Sequence, residues 1–188
     1  MNKTIELILN RVCVRDYKPD QVKEEDLKTI IDCGLHAATA MNMQPWHLTV
    51  IQNKQVIDQI VEINKKAILE SDNEFLKERV TQPGGYHNFY HAPTVIIVSG
   101  RDGEKWADVD CANMTQNMCI AAEALGLSTC YIASFKFAVE AGGKYAKELL
   151  DLLQLPEGYS PRVSIALGYM NGERPAVKER KYAVNFIR

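Results

Sequence analysis

Apolar residues recur at steps of three and four in four stretches of the chain, and cluster or alternate in four others. Ile5, Ile8, Leu9 and Val12 mark a first short helix, and Leu27, Ile30, Ile31 and Leu35 a second over Glu24–Leu35. Val56, Ile60, Ile63 and Ala67 place a third over Gln55–Glu70, and "KYAKELLDLLQL" a further helix stopped before Pro156. The segments "HLTVIQ", "PTVIIVSG", "LSTCYIAS" and "PRVSIALGYM" are short, β-branched and bounded by turn residues, so each predicts a strand. "PTVIIVSG" is apolar almost throughout, the pattern of a strand buried on both faces. Asp110–Leu125 is Ala-, Met- and Cys-rich and apolar nearly all round, which predicts a helix buried in a core or between two copies, with Met118 at that interface. Ser71–Tyr90 predicts a weak helix and then a mobile, aromatic-bearing loop, and "AVNFI" near the end a short strand without a nearby mate. The sum is an α+β chain, a mixed, mostly antiparallel sheet flanked by helices, read as one domain over 1–188 with 71–90 as a lid.

Composition narrows what such a fold could do. A net charge of −2 gives no electrostatic basis for binding nucleic acid or an anionic membrane, and no apolar run reaches membrane-spanning length. The N-terminal stretch carries Glu6 within its apolar run and does not read as a signal peptide. Five scattered cysteines without a Cys-x-x-Cys point to reduced thiols in a cytoplasm rather than a disulfide framework or a zinc site. His87 and His91 stand four apart, but Pro93 cuts short any helix that would bring them onto one face, so no metal is expected. Glycine-rich phosphate loops and a nucleophile elbow are both missing.

Three stretches could carry chemistry. In "RVCVRDY", extended backbone would put Arg11, Cys13 and Arg15 on one side and Val12 and Val14 on the other, a cradle suited to a phosphate. The tail from Asn171 to Arg188 has a net charge of +3 in a chain that is acidic overall. In "MNMQPW", extended alternation would set Asn42 and Gln44 opposite Met41 and Met43, and two amides beside Trp46 suit the edge of a flat ring. Taken singly, each has a plainer explanation: a solvated basic face, a solubilising tail, a capping turn around a core tryptophan.

Together and in order, these segments resemble the nitroreductase family of flavin enzymes. Arg11-Val12-Cys13-Val14-Arg15 is similar to the family's Arg-x-Ser-x-Arg. Ala37-Ala38-Thr39-Ala40-Met41-Asn42-Met43-Gln44-Pro45-Trp46 resembles its Ala-Pro-Ser-x-x-Asn-x-Gln-Pro-Trp. Asp110 to Leu127 and Leu167-Gly168-Tyr169 resemble its buried helix and late strand. Cys13 and Ala38 stand where Ser and Pro are usual. The resemblance implies FMN held at the interface of a homodimer whose C-terminal extensions are exchanged, NADH or NADPH as electron donor, and a small-molecule acceptor such as a nitroaromatic or quinone. It implies that Arg11, Cys13, Arg15, Lys178 and Arg180 face the phosphate. Asn42 and Gln44 would lie at the flavin, Ala38 and Thr39 would reach the ring from the other subunit, and Ile132 and Ala133 would present backbone near N5. No side chain of the protein is singled out as catalytic, because the flavin carries the chemistry. The competing expectations are a family member reducing an enone or a halogenated aromatic, and a flavin-binding protein without turnover.

Overall fold

A computed structural model describes residues 1–188. It contains α1 (Lys3–Asn10), α2 (Glu24–Leu35), β1 (Trp46–Ile51), α3 (Lys54–Leu69), α4 (Glu74–Thr81), β2 (Thr94–Arg101), α5 (Ala107–Ala124), β3 (Ser128–Ile132), α6 (Phe137–Ala141), α7 (Gly143–Leu153) and β4 (Tyr159–Gly168). The expected largely antiparallel sheet is present: the four strands lie in the order β1-β2-β4-β3 and every pairing between them is antiparallel. One parallel bridge, Cys13 to Thr129, lays the Arg11–Arg15 segment along the outer edge of β3.

Alternation along β2 explains the layers. Val95 and Ile97 face one way, into a core built with α3, α6 and α7; Ile96 and Val98 face the other, against α2 and α5. All four are fully buried, each contributing on the order of 2 kcal/mol of transfer free energy. Local chemistry sets the helix starts. The Asn2, Asn53 and Asn73 side chains accept from backbone N–H groups at the N-termini of α1, α3 and α4. Gly34 on α2 lets α5 approach, since an added Cβ would come within 2.6 Å of Met118 Cγ.

The expectations that differ do so for visible reasons. Helix α1 ends at Asn10, so Val12 belongs to the extended segment, and Ile5, Ile8 and Leu9 stay exposed in the single chain. On α5 only one side is buried: Met118 sits inside the chain's own core, whereas Val109 on the outer side is 53% exposed. The small helix α6 was not predicted, because "FAVEA" is too short for a periodicity to register. In the single chain "AVNFI" has no strand to pair with and runs as exposed coil, so the expected strand is not formed. No helix is long and apolar enough to cross a membrane.

Candidate functional site

The Arg11–Arg15 segment behaves as its alternation requires. Val12 and Val14 are buried, Arg11 and Cys13 half-buried and Arg15 exposed, with the Val14 N–H donating to Thr129 O at 3.0 Å. Beyond it, Tyr17 bridges to Met170, and its buried hydroxyl donates to Val14 O at 2.7 Å. The cradle is therefore stapled to β3 on one side and to the end of β4 on the other. Arg11 Nη1 donates to Cys13 Sγ at 3.8 Å. The thiol is held well below its ordinary range, chiefly by hydrogen bonding with the Cys130 thiol, then by the Tyr131 backbone and the Arg11 cation, against the effect of burial.

Arg15 opens into a cavity of about 550 Å³, within the range of small-molecule sites. Its walls come from α4, the 82–91 segment and the turn after β3, with Tyr86, Tyr90 and Phe137 as aromatic surfaces and Ser134 beside the predicted Ile132–Ala133 pair. Ile132 is buried and Ala133 exposed at the end of the strand. Arg15 Nε donates to Tyr90 Oη at 3.3 Å, and its guanidinium lies 5.6 Å from that ring's centroid. Asn88, only 5% exposed, lines the same cavity, and neither its side-chain oxygen nor its nitrogen has a hydrogen-bond partner. A cationic end, flat apolar walls and an amide with spare donor and acceptor suit a heterocycle that carries an anion, and FMN is such a molecule.

The second predicted constellation lies elsewhere. Asn42 and Gln44 are not extended: they sit in a tight turn with Met41, all three in the left-handed region (φ 56°, 48° and 50°). Both methionines are exposed, so the expected division into two faces is not found. The amides do meet, Gln44 Nε2 donating to Asn42 Oδ1 at 3.0 Å. Thr39 Oγ1 accepts from Gln44 N, and Ala38 O from Asn113 Nδ2, which ties the turn to α5. From Trp46 the register runs through Gly100 to Ser160 of β4, whereas from Cys13 it runs through Thr129 to Leu167. Four strand spacings across and seven residues along put the two groups roughly 30 Å apart. One flavin mononucleotide cannot touch both within a single chain. Lys178 and Arg180 are exposed in the tail and make no side-chain hydrogen bond or ion pair within the chain, although Arg174 at the tail's root donates to Asn10 O, next to Arg11.

Asn88, Tyr90 and Tyr86 were missed by reasoning from the sequence. The available signal was "GGYHNFY", an amide between aromatics after a glycine pair, but its polarity reads equally well as plain loop.

A family model described as the Nitroreductase family matches residues 8–169. A crystal structure of a nitroreductase with bound FMN from Bacteroides fragilis superposes with a TM-score of 0.87 at 32% identity, covering 100% of this chain and 98% of that one. A nitroreductase with bound FMN from Desulfitobacterium hafniense gives 0.90 at 28% identity, covering both chains completely. An NADPH-flavin oxidoreductase of Vibrio harveyi is 27% identical over 188 residues, 96% of this chain and 70% of that protein.

Proposed function

This chain belongs to the nitroreductase family, and on that premise we propose that it is an NAD(P)H-dependent flavin oxidoreductase using FMN, acting in the cytoplasm as a homodimer on a nitroaromatic, quinone or similar small oxidised acceptor. The observation that carries the reading is the Arg11–Cys13–Arg15 edge along β3, whose Arg15 opens into the cavity.

FMN bound there would take a hydride equivalent from NAD(P)H and hand two electrons to the acceptor. The chain's own contribution is to bind, orient and exclude water. Arg11 and Arg15 neutralise the phosphate, with Lys178 and Arg180 joining from the tail. The Ile132–Ala133 backbone, next to Ser134 in the cavity wall, would border the ring, and Tyr86, Tyr90 and Phe137 would keep water from it. The roughly 30 Å between the two halves of the constellation supports a second copy as the source of Ala38, Thr39, Asn42 and Gln44. The exposed apolar residues Ile5, Ile8, Leu9 and Val109, and the unpaired "AVNFI" tail, are the surfaces such a dimer with exchanged extensions would cover.

The test is optical. Purified protein should carry a flavin absorption spectrum that bleaches with NADH or NADPH under anaerobic conditions and returns on adding a quinone. Colourless protein that takes up no FMN would overturn the reading, and bound flavin that no pyridine nucleotide bleaches would reduce it to binding without turnover.

A further inference from the structure

Tyr90 and His91 are both left-handed (φ 55° at each), although neither is glycine and both carry aromatic rings. Backbone of that kind persists only where its surroundings hold it. The support is His87. Its Nδ1 accepts from the His91 N–H at 3.2 Å, and its Nε2 lies 3.5 Å from Asp58 Oδ1 on α3. The His87 carbonyl accepts from Tyr90 N at 3.0 Å, and the two imidazole rings stand 4.0 Å apart. Because Nδ1 is an acceptor here, the proton of the neutral ring sits on Nε2, facing the carboxylate. The turn so fixed is the one that brings the Tyr90 hydroxyl to Arg15.

We propose that His87 is a positioning residue: neutral, it locks the left-handed Tyr90–His91 turn and with it Arg15; protonated at Nδ1, it releases both. A proton on Nδ1 turns the acceptor into a donor aimed at the N–H of His91, so the two groups repel. The inference rests on the reading of Arg15 as an FMN-binding residue, and it deepens that reading by making ligand affinity depend on pH through a histidine in the cavity wall that acts by way of Tyr90 and Arg15.

The charged and titratable groups around His87 are named by the packing. Asp58 and Lys54 face it from α3, and His91 from its own segment. Tyr17, His87 and His91 all line both the Arg15 cavity and a second one of about 290 Å³. Asp16, Arg15, Arg79, Tyr86, Tyr90 and Glu140 lie around the larger cavity. Burial, reinforced by His91, holds the His87 imidazolium below its ordinary range, against the pull of Asp58. The lock is therefore closed at neutral pH and opens as pH falls below the usual histidine range.

The experiment compares wild type, His87→Asn and His91→Asn. Asparagine at 87 keeps an oxygen where Nδ1 stood, able to accept from His91 N–H and unable to take a proton; asparagine at 91 keeps the donor N–H and removes the other imidazole. The first readout is hydrogen–deuterium exchange of the His91 amide in ligand-free protein, corrected for intrinsic rate. Wild type and His91→Asn should lose about tenfold in protection between about pH 7.5 and about pH 5, and His87→Asn should lose none. The second is FMN affinity by fluorescence titration over the same interval. The phosphate's own titration is common to all three proteins, and the wild-type Kd should rise about fivefold more than that of His87→Asn. Equal protection of the wild type at both pH values overturns the lock. A pH slope in His87→Asn equal to wild type overturns its link to the ligand, and a flat response in His91→Asn moves the role to the other histidine. Wild type that binds no FMN at neutral pH overturns the cavity assignment instead, and the exchange readout alone then judges the lock.

Discussion

Arg174 Nη2 donates to Glu123 Oε1 at 2.6 Å and to the Asn10 carbonyl at 2.8 Å, pinning the root of the basic tail between the end of α1 and the end of α5. Glu123 is mostly covered there, so this pair is screened less than an open surface pair. Arg174→Ala should lower stability by about 1 kcal/mol in urea titration. It should also weaken FMN by freeing the tail that carries Lys178 and Arg180. An affinity for FMN equal to wild type would show that the tail does not reach the phosphate.

The two arginines of the cradle can be told apart. Arg11 sits with the thiol and beside the tail, and Arg15 opens into the cavity. Each should cost about 2–3 kcal/mol of FMN affinity on replacement by Ala if it holds the phosphate, the scale of a charge-assisted hydrogen bond. Riboflavin, which lacks the phosphate, should bind those variants almost as well as wild type. An arginine whose loss weakens both ligands equally is contacting the ring and not the phosphate.

Cys13 should alkylate readily. Its thiol is pulled below the ordinary range, so the thiolate forms at lower pH than in a free cysteine and iodoacetamide should label it near neutrality. A bound phosphate opposes that negative charge, so FMN should slow the labelling. By the same argument Cys13→Ser, which carries no charge, should bind FMN as tightly as wild type or tighter while keeping turnover. Loss of turnover with flavin still bound would give the thiol a chemical role.

Gly168 ends β4 where Pro93 and Tyr17 close in, and a Cβ there would meet Pro93 Cδ at 2.8 Å and Tyr17 Cδ1 at 3.2 Å. Neither ring can move far, so Gly168→Ala should cost about 1–3 kcal/mol of stability. Because Tyr17 braces the cradle through Val14 O, FMN affinity should fall with it. A neutral result in thermal and urea unfolding would mean that the strand end shifts freely.

Dimerisation is best probed away from the core. Met118 is wholly buried within the chain, so Met118→Glu would unfold it, at about 4 kcal/mol or more, without testing association. Ile120 lines an open groove between α1 and α5 together with Leu7 and Ile8. Ile120→Glu should leave the chain folded yet monomeric by light scattering, with its flavin lost. A folded monomer retaining stoichiometric FMN would refute the shared site.

Most of the fold was legible because its signals are local. Leu27 and Ile30 on α2, or the alternating faces of Val95 to Val98, follow from periodicity alone. The cradle was legible for the same reason: buried Val12 and Val14 force their neighbours outward. The turn at Met41–Gln44 was not, because its three left-handed non-glycine positions, Met41, Asn42 and Gln44, are held by the hydrogen bonds of Thr39, Ala38 and Ala40 to distant or neighbouring partners, including Asp110 on α5. Nor was the cavity, where Tyr90 reaches Arg15 and Asn88 joins the wall only after some seventy residues of intervening chain have folded.

The opposite placement of the two half-constellations on the sheet has a genetic consequence. In the shared-site dimer proposed above, an allele broken at Arg15 and another broken at Gln44 would damage different halves, and each homodimer would be inactive at both sites. A mixed dimer gathers both lesions into one site and leaves the other whole. Co-expression of two dead alleles should thus restore about a quarter of wild-type sites under random assortment of subunits, whereas two alleles broken on the same edge should never complement.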